Sequence, residues 1–513
     1  MERETVFIDK VIQSYHPKGA YIYLGSGILD GNIVAPAQVN FALKMMNRHG
    51  LIAGATGTGK TRTLQLIAEQ LSAENVPVFM LDVKGDLSGL NEPGEMLPAL
   101  VERAEILDRP FVPAGFPVEL FSLSGKVGNP MRITIDNFGP IMLGRVLDLN
   151  DTQTGVLTAL FKYANDNNMP LIDLEDVKKL LNYLSQGEGA QEIKADYGRI
   201  STSTSSTILR KIVGLEQQGL ASIFGETSFD INDLFNREDG KGVISLLNIS
   251  DVQDQPLLFS TFLMSLLAQL FKTLPEVGNP DKPKLVFFFD EAHLLFKNAS
   301  KAFLSQIDQI IRLIRSKGVG VFFCTQAATD IPESILGQLG SRIQHALRAF
   351  TPNDADALKK TVKTYPQSEF YEIDRVLTQL GTGQALITVL NDKGIPTEVV
   401  ATHLIPPQAK MDPLDTKSFQ QLVLNSPFHL KYHQVIHPRS ANEIIDEKIV
   451  HNTLQQSQTK TPKGSTTRKS TRQTPLEAAQ KAVTSTLARE IARGVSRGII
   501  NIFTGMLGGK KKK

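Results

Sequence analysis

Tryptophan is absent from this 513-residue chain, and cysteine occurs once, as Cys324. A single thiol excludes an intrachain disulfide framework, so the fold has to be held by burial, and 41% hydrophobic with 21% charged residues is the balance of a globular protein able to do that. Long apolar runs are also missing. The longest, such as Leu285–Phe289 and Val319–Cys324, fall far short of the roughly 18–20 residues of a membrane span, so no transmembrane segment is expected. The start, MERETVFIDK, lacks the basic-then-apolar plan of a signal peptide, which leaves a cytoplasmic location as the expectation. Net charge is small too, at +2, but this hides an asymmetry. Residues 454–513 carry 13 Lys and Arg against 2 Asp and Glu, so the remainder is acidic on balance and any nucleic-acid surface there must be a local patch. No internal repeat of fixed period is present.

What is present is an alternation of strand-like and helix-like segments. Residues 1–49 read as a short β-rich lead-in (VFIDKVIQ, AYIYLG). From Gly50, the run LIAG, TRTLQLIAEQLSAE, VPVFMLDV spells a βαβ unit and a parallel sheet. The rhythm weakens over 91–240, which reads as a mainly helical insertion. It resumes over 241–405 with strands at 242–249, 284–292 and 318–326, apolar on both faces as central parallel strands are, and with GQALITVL as a candidate last strand. Residues 406–473 read as an extended region and flexible linker. Residues 474–513 read as an amphipathic basic helix with a Lys tail, which would bind DNA or an anionic membrane surface, pack between subunits, or simply be solvated.

The segment LIAGATGTGKT contains G-x-x-x-x-G-K-[ST], with a strand before it and a helix after. Phosphate oxygens need several converging N–H donors, and glycines let a loop turn them inward. Gly54, Ala55, Thr56, Gly57, Thr58, Gly59, Lys60, Thr61 and Arg62 are the expected cradle for ATP. Lys60 is expected to reach the β- and γ-phosphates and the Thr61 hydroxyl to meet Mg²⁺. Hydrolysis further needs a metal-side carboxylate and a group that activates water. The stretch VFFFDEAHLLF offers Asp290 to hold Mg²⁺ through water and Glu291 as general base. The bland reading of such a pair is a strand end that caps the next helix. His293 reads as structural and Cys324 as a small core residue. Gln326, ending GVGVFFCTQ, reads equally as a γ-phosphate contact or as a turn residue. Asp82, Lys84 and Asp86 in DVKGDLSGL either reach the nucleotide or a neighbouring subunit, or form a solvated turn. Arg312, Arg315, Arg342 and Arg348 are candidates for a positive finger acting across a subunit boundary, with Arg342 and Arg348 preferred.

The letters DEAH do not make this a DEAH-box helicase. Such enzymes carry two tandem RecA-like domains in one chain, whereas here about 75 residues of plausible globular sequence follow position 327 and there is no second phosphate loop. One ATPase domain lacking its own finger implies an oligomer, most naturally a ring.

Several long segments, GATGTGKT, DVKGDLSGL, FFFDEAHLLF, GPIMLGRVLDLNDTQTGVL and RLIRSKGVGVFFCTQAATDIPESILGQLGSRIQHALRAFTPNDADA, together resemble the HerA-like branch of the HerA/FtsK superfamily, and more closely its bacterial YjgR-type members, over roughly residues 5–410. The resemblance implies an α/β, RecA-like P-loop NTPase of the additional-strand type, in which the Gln326 strand lies between the phosphate-loop strand and the Asp290–Glu291 strand. It also implies a role for Gln326, places Asp82 and Lys84 near the site, and implies a hexameric ring driven along duplex DNA by ATP hydrolysis with a nuclease partner. HerA proteins begin with a substantial β-barrel, and only some 45 residues precede the core here, so the barrel is expected to be reduced or absent. The competing expectations are an ATPase switch of the same fold that acts on protein assembly or secretion, and, last, a phosphotransferase.

Overall fold

A computed structural model describes residues 2–296, 301–348, 351–434 and 436–459. In chain order the strands are β1 (Tyr21–Leu29), β2 (Asn32–Ala42), β3 (Gly50–Ala53), β4 (Val78–Asp82), β5 (Val118–Ser122), β6 (Asn129–Pro130), β7 (Arg237–Glu238), β8 (Lys241–Gly242), β9 (Ile244–Asn248), β10 (Leu285–Phe289), β11 (Val319–Thr325), β12 (Ser341–Gln344), β13 (Gln384–Thr388) and β14 (Val400–Leu404). Apart from the small β7–β8 hairpin, they form one sheet in the order β2-β1-β14-β13-β12-β3-β11-β10-β4-β9-β5-β6. From β12 to β6 every pairing is parallel; β13, β14, β1 and β2 add an antiparallel flank. The expected additional strand is present: β11 separates the phosphate-loop strand β3 from β10.

The central strands β3, β4, β9, β10 and β11 are buried at every position because both faces are covered. Along β10, Val286 and Phe288 belong to one core cluster while Phe287 and Phe289 belong to the other, and β4 divides in the same way between Met80 and Phe79. The helix Lys60–Ala73 covers one face through Leu64, Ile67 and Leu71. The helices Ile135–Val146, Asp151–Asp166, Leu174–Ser185 and Thr202–Gln217 contribute Leu143, Leu160, Leu180 and Ile208 to the cluster on the other face.

Several elements differ from the sequence reading. VFIDKVIQ lies in a helix, Glu2–Tyr15, because Phe7, Val11 and Tyr15 recur every four residues and are all buried; that period outweighs the β-branched composition. Inside the insertion, β5 and β6 extend the main sheet beside β9. Beyond 406 the chain is helical over Thr416–Asn425, Pro427–His433 and from Ala441, with Phe428, Tyr432 and Ile445 joining the core. Residues up to Ile449 form one compact unit; a second begins at Val450, of which the described part is the end of the helix Ala441–Thr459. The expected basic helix and Lys tail lie outside the described residues. Among the described residues no helix is long and apolar enough to cross a membrane.

The buried His49 couples this core to pH. Its Nδ1 accepts the Val321 N–H at 3.0 Å and its Nε2 lies 2.7 Å from the Ile311 carbonyl, so the neutral ring uses both nitrogens. Burial pushes its pKa from 6.5 down to about 4, and burial likewise holds His345 and His403 at about 4. A depressed imidazole stabilises the fold above its unfolded pKa, and that contribution is lost as pH falls from 6.5 towards 4. The His49 share is about 2 kcal/mol between pH 7 and pH 5. Urea midpoints at those two pH values are expected to fall on acidification, and to fall less in His49→Gln.

Candidate functional site

The short strand β3 delivers Gly54 at its carboxyl end, where the chain leaves the sheet. The Gly54 N–H donates to the Thr325 carbonyl at 3.3 Å and the Ala55 N–H to the Ala346 carbonyl at 2.9 Å, so the loop is suspended between the ends of β11 and β12. Gly54 has φ +154°, and a Cβ there would lie 2.5 Å from the His345 Cβ; Gly59 has φ +109°, with the Gly383 backbone 3.2 Å from its missing Cβ. Only glycine fits either place. Lys60 arches back over the loop, its Nζ donating to the carbonyls of Gly54 at 2.7 Å and Ala55 at 3.1 Å, and the Thr58 hydroxyl donates to the Ala55 carbonyl at 2.8 Å. Thr61 and Arg62 lie in the first turn of the helix Lys60–Ala73, whose unpaired N–H groups make an anion site. Thr63 on that helix meets the buried His345 Nε2 at 2.9 Å. Burial, and then the Lys60 charge, keep that imidazole neutral.

Asp290 and Glu291 follow β10, two strands from β3. Asp290 is 4% exposed; burial first, and then the Glu291 charge, raise its pKa, against a bond from the Glu291 N–H at 2.9 Å and one from the Cys324 thiol. Glu291 has φ +47°, an uncommon backbone state for a residue with a side chain. Its Oε1 lies 3.2 Å from the Lys84 Nζ. Its Oε2 is buried without a hydrogen bond, 3.4 Å from the His293 Nδ1. Burial works against the Lys84 charge, but the bond to Glu291 and the charges of Glu291, Asp290 and Asp86 outweigh it and hold its pKa above the usual value. Asp82 caps the turn after β4, accepting from the N–H groups of Gly85 at 2.7 Å and of Asp86 and Leu87 at 3.2 Å.

Gln326 follows β11, exposed, and lines a cavity of about 340 Å³ together with Ala55, His293, Asp330 and the exposed Arg348. Arg342 lies within β12, between β3 and β13, half-buried, with its Nη1 buried and unbonded, and burial lowers its pKa. Arg312 is exposed and paired with Asp308 at 2.9 Å.

Three contributors carry no signal in the sequence. His345 fills the space beside Gly54, Gly383 donates its N–H to the Thr58 carbonyl at 3.1 Å, and Arg103 fastens Gly383 through its carbonyl.

These groups fit a nucleoside triphosphate with Mg²⁺. The loop offers glycine-lined space, a lysine and a helix start for phosphates. Thr61 and the buried Asp290 face the same end of the sheet, and Mg²⁺ takes one or two such groups along with phosphate oxygens. The unbonded Glu291 Oε2 is an acceptor free for a water proton.

The family model described as Helicase HerA-like C-terminal matches residues 30–513. The chain is 24% identical over 379 residues to the DNA import protein CedB of Sulfolobus acidocaldarius, covering 72% of this chain and 54% of CedB. It is 21% identical over 371 residues to the DNA double-strand break repair helicase HerA of Sulfurisphaera tokodaii, covering 69% of this chain and 65% of that protein. It therefore spans less than two thirds of either relative. Among solved structures, the plasmid coupling protein TrwB in complex with ADP and Mg²⁺ superposes with a TM-score of 0.49 at 13% identity, covering 77% of this chain and 96% of TrwB. VirB4 of Thermoanaerobacter pseudethanolicus gives 0.46 at 16% identity, covering 75% and 97%. With a family model matching from residue 30 to the last residue, the chain belongs to the Helicase HerA-like C-terminal family, in the HerA-like branch of the HerA/FtsK P-loop ATPases.

Proposed function

We propose that this protein hydrolyses ATP and uses the energy to move along duplex DNA as a ring of like subunits, six in the reading the family resemblance favours. The observation that carries the hydrolytic part is the Glu291 carboxylate: one oxygen is tied to Lys84 and the other is buried and unbonded, at the end of the strand next but one to the phosphate loop. In this reading the loop amides and Lys60 grip the β- and γ-phosphates. Mg²⁺, held by the Thr61 hydroxyl and by Asp290 through water, neutralises charge on the phosphate oxygens. Glu291 orients the attacking water and takes its proton. Gln326 and Arg348 share a cavity with Ala55, and so meet the terminal phosphate from the β11 side in the same chain. DNA as the track is supported by the names of the two curated relatives, a DNA import protein and a DNA repair helicase.

The test is ATP turnover with and without linear double-stranded DNA at two salt concentrations. DNA is expected to raise the rate at about 50 mM salt, and the gain to vanish by about 200 mM, because phosphate contacts release counterions and weaken steeply with salt. Turnover that ignores DNA at both concentrations removes the translocase reading and leaves an ATPase that acts on protein assembly or secretion.

A further inference from the structure

A glutamate side chain turns about several bonds, so a carboxylate that is to meet one water has to be held from outside its own residue. For Glu291 the holding group comes from the neighbouring strand. β4 runs parallel to β10 with Leu81 opposite Phe289, and Lys84, two residues past the end of β4, sets its Nζ 3.2 Å from the Glu291 Oε1. On the other oxygen the nearest cation is looser. The His293 Nδ1 stands 3.4 Å from Oε2, which stays buried and unbonded.

The turn that presents Lys84 is itself fixed on both sides of the lysine. Before it, the buried Asp82 accepts from the N–H groups of Gly85, Asp86 and Leu87, which closes the turn around Lys84. Between them, the Val83 carbonyl accepts from the Gln253 side chain, which ties the turn to the segment after β9. The backbone under Lys84 is therefore set by the same sheet that sets Glu291. The lysine side chain is 50% exposed and that of Glu291 13%. An ion pair so open on one side adds little to stability, so what it supplies is direction.

We infer that Lys84 is a positioning residue for hydrolysis: by holding Oε1 of Glu291 it leaves Oε2 turned to the water that attacks the terminal phosphate. The inference rests on the proposed role of Glu291 as base and extends it to a residue on the next strand. In this role Lys84 touches neither the nucleotide nor the water. Its effect on rate is large because misplacing a reacting group by about 1 Å costs on the order of 10²-fold.

The test measures kcat and the ATP dissociation constant of the full chain for the parent, Lys84→Met, Lys84→Arg, Glu291→Gln and the double variant Lys84→Met with Glu291→Gln. Lys84→Met keeps the apolar stem and removes the charge. Its kcat is expected to fall by about 10- to 100-fold with ATP affinity unchanged, and Lys84→Arg to recover most of the loss. In the Glu291→Gln background Lys84→Met should cost nothing further, because residues that act as a unit are not additive. A lysine with a merely structural role would cost the same factor in both backgrounds, and that result overturns the inference. So does parent-like or faster turnover by Lys84→Met, and so does a loss of ATP affinity, which would put the lysine on a phosphate. Turnover by Glu291→Gln equal to the parent's would instead remove the base assignment itself, and this inference with it.

Discussion

Replacing Glu291 by glutamine is expected to slow ATP turnover by about 10²–10⁴-fold, the range general-base catalysis supplies, while ATP still binds. The substitution keeps size and shape and removes the proton acceptor. It leaves Asp290 and the loop untouched, so the nucleotide's contacts survive. It also ends the charge pairing with Lys84, but that lysine side chain is 50% exposed, and a pair so open to water contributes little to stability. Phosphate release under steady state, set beside a nucleotide-binding titration, separates the two effects. Equal turnover by variant and parent would remove Glu291 as the base and move the search to the water-side groups around Gln326. ATP binding lost along with turnover would mean that Glu291 shapes the pocket instead.

Lys60→Ala should give the complementary pattern. Its ammonium lies against the loop, bonded to two loop carbonyls at 2.7 and 3.1 Å. Bonds to a charged group are worth about 1.5–3 kcal/mol each. Loss of two such contacts to phosphate oxygens is expected to weaken ATP by about 10²–10⁴-fold and to abolish measurable turnover. The fold should persist, because the neighbouring glycines and the Thr58 bond set the loop's path. An unchanged melting temperature together with undetected ATP binding by calorimetry is the expected result. Near-parent ATP affinity in a folded Lys60→Ala protein would sink the cradle as the phosphate site.

Which features were legible in the sequence follows from how local their causes are. The strand, glycine loop and helix around 51–73 are adjacent in the chain, so spacing alone located the loop. Asp290 and Glu291 stood out because an apolar run that ends in two carboxylates marks the carboxyl edge of a buried strand. The half-burial of Arg342 carries no signal in composition, which does not say how far a strand arginine is covered; its place in β12 between β3 and β13, near Tyr365, sets that. Arg103, Gly383 and Met411 were invisible for a different reason. They come from a helix, a turn and a late segment that meet only once the sheet is assembled. The helix Glu2–Tyr15 was legible in principle, since Phe7, Val11 and Tyr15 keep strict four-residue spacing, but the β-branched residues between them point the other way.

The strand that carries the phosphate loop has a consequence for how the protein is made. Both neighbours of β3 come from late in the chain, β11 beginning at Val319 and β12 at Ser341. At translation speeds of about 5–20 residues per second, β3 waits roughly 15–50 s after leaving the ribosome before its first partner is synthesised. During that interval both of its edges are unpaired, the condition under which strands join the wrong chain. The strand is only four residues long and opens on glycine, which keeps that hazard small. The nucleotide site is therefore among the last parts of the molecule to close, and a nascent chain halted before β11 would carry every residue of the loop motif and no nucleotide pocket.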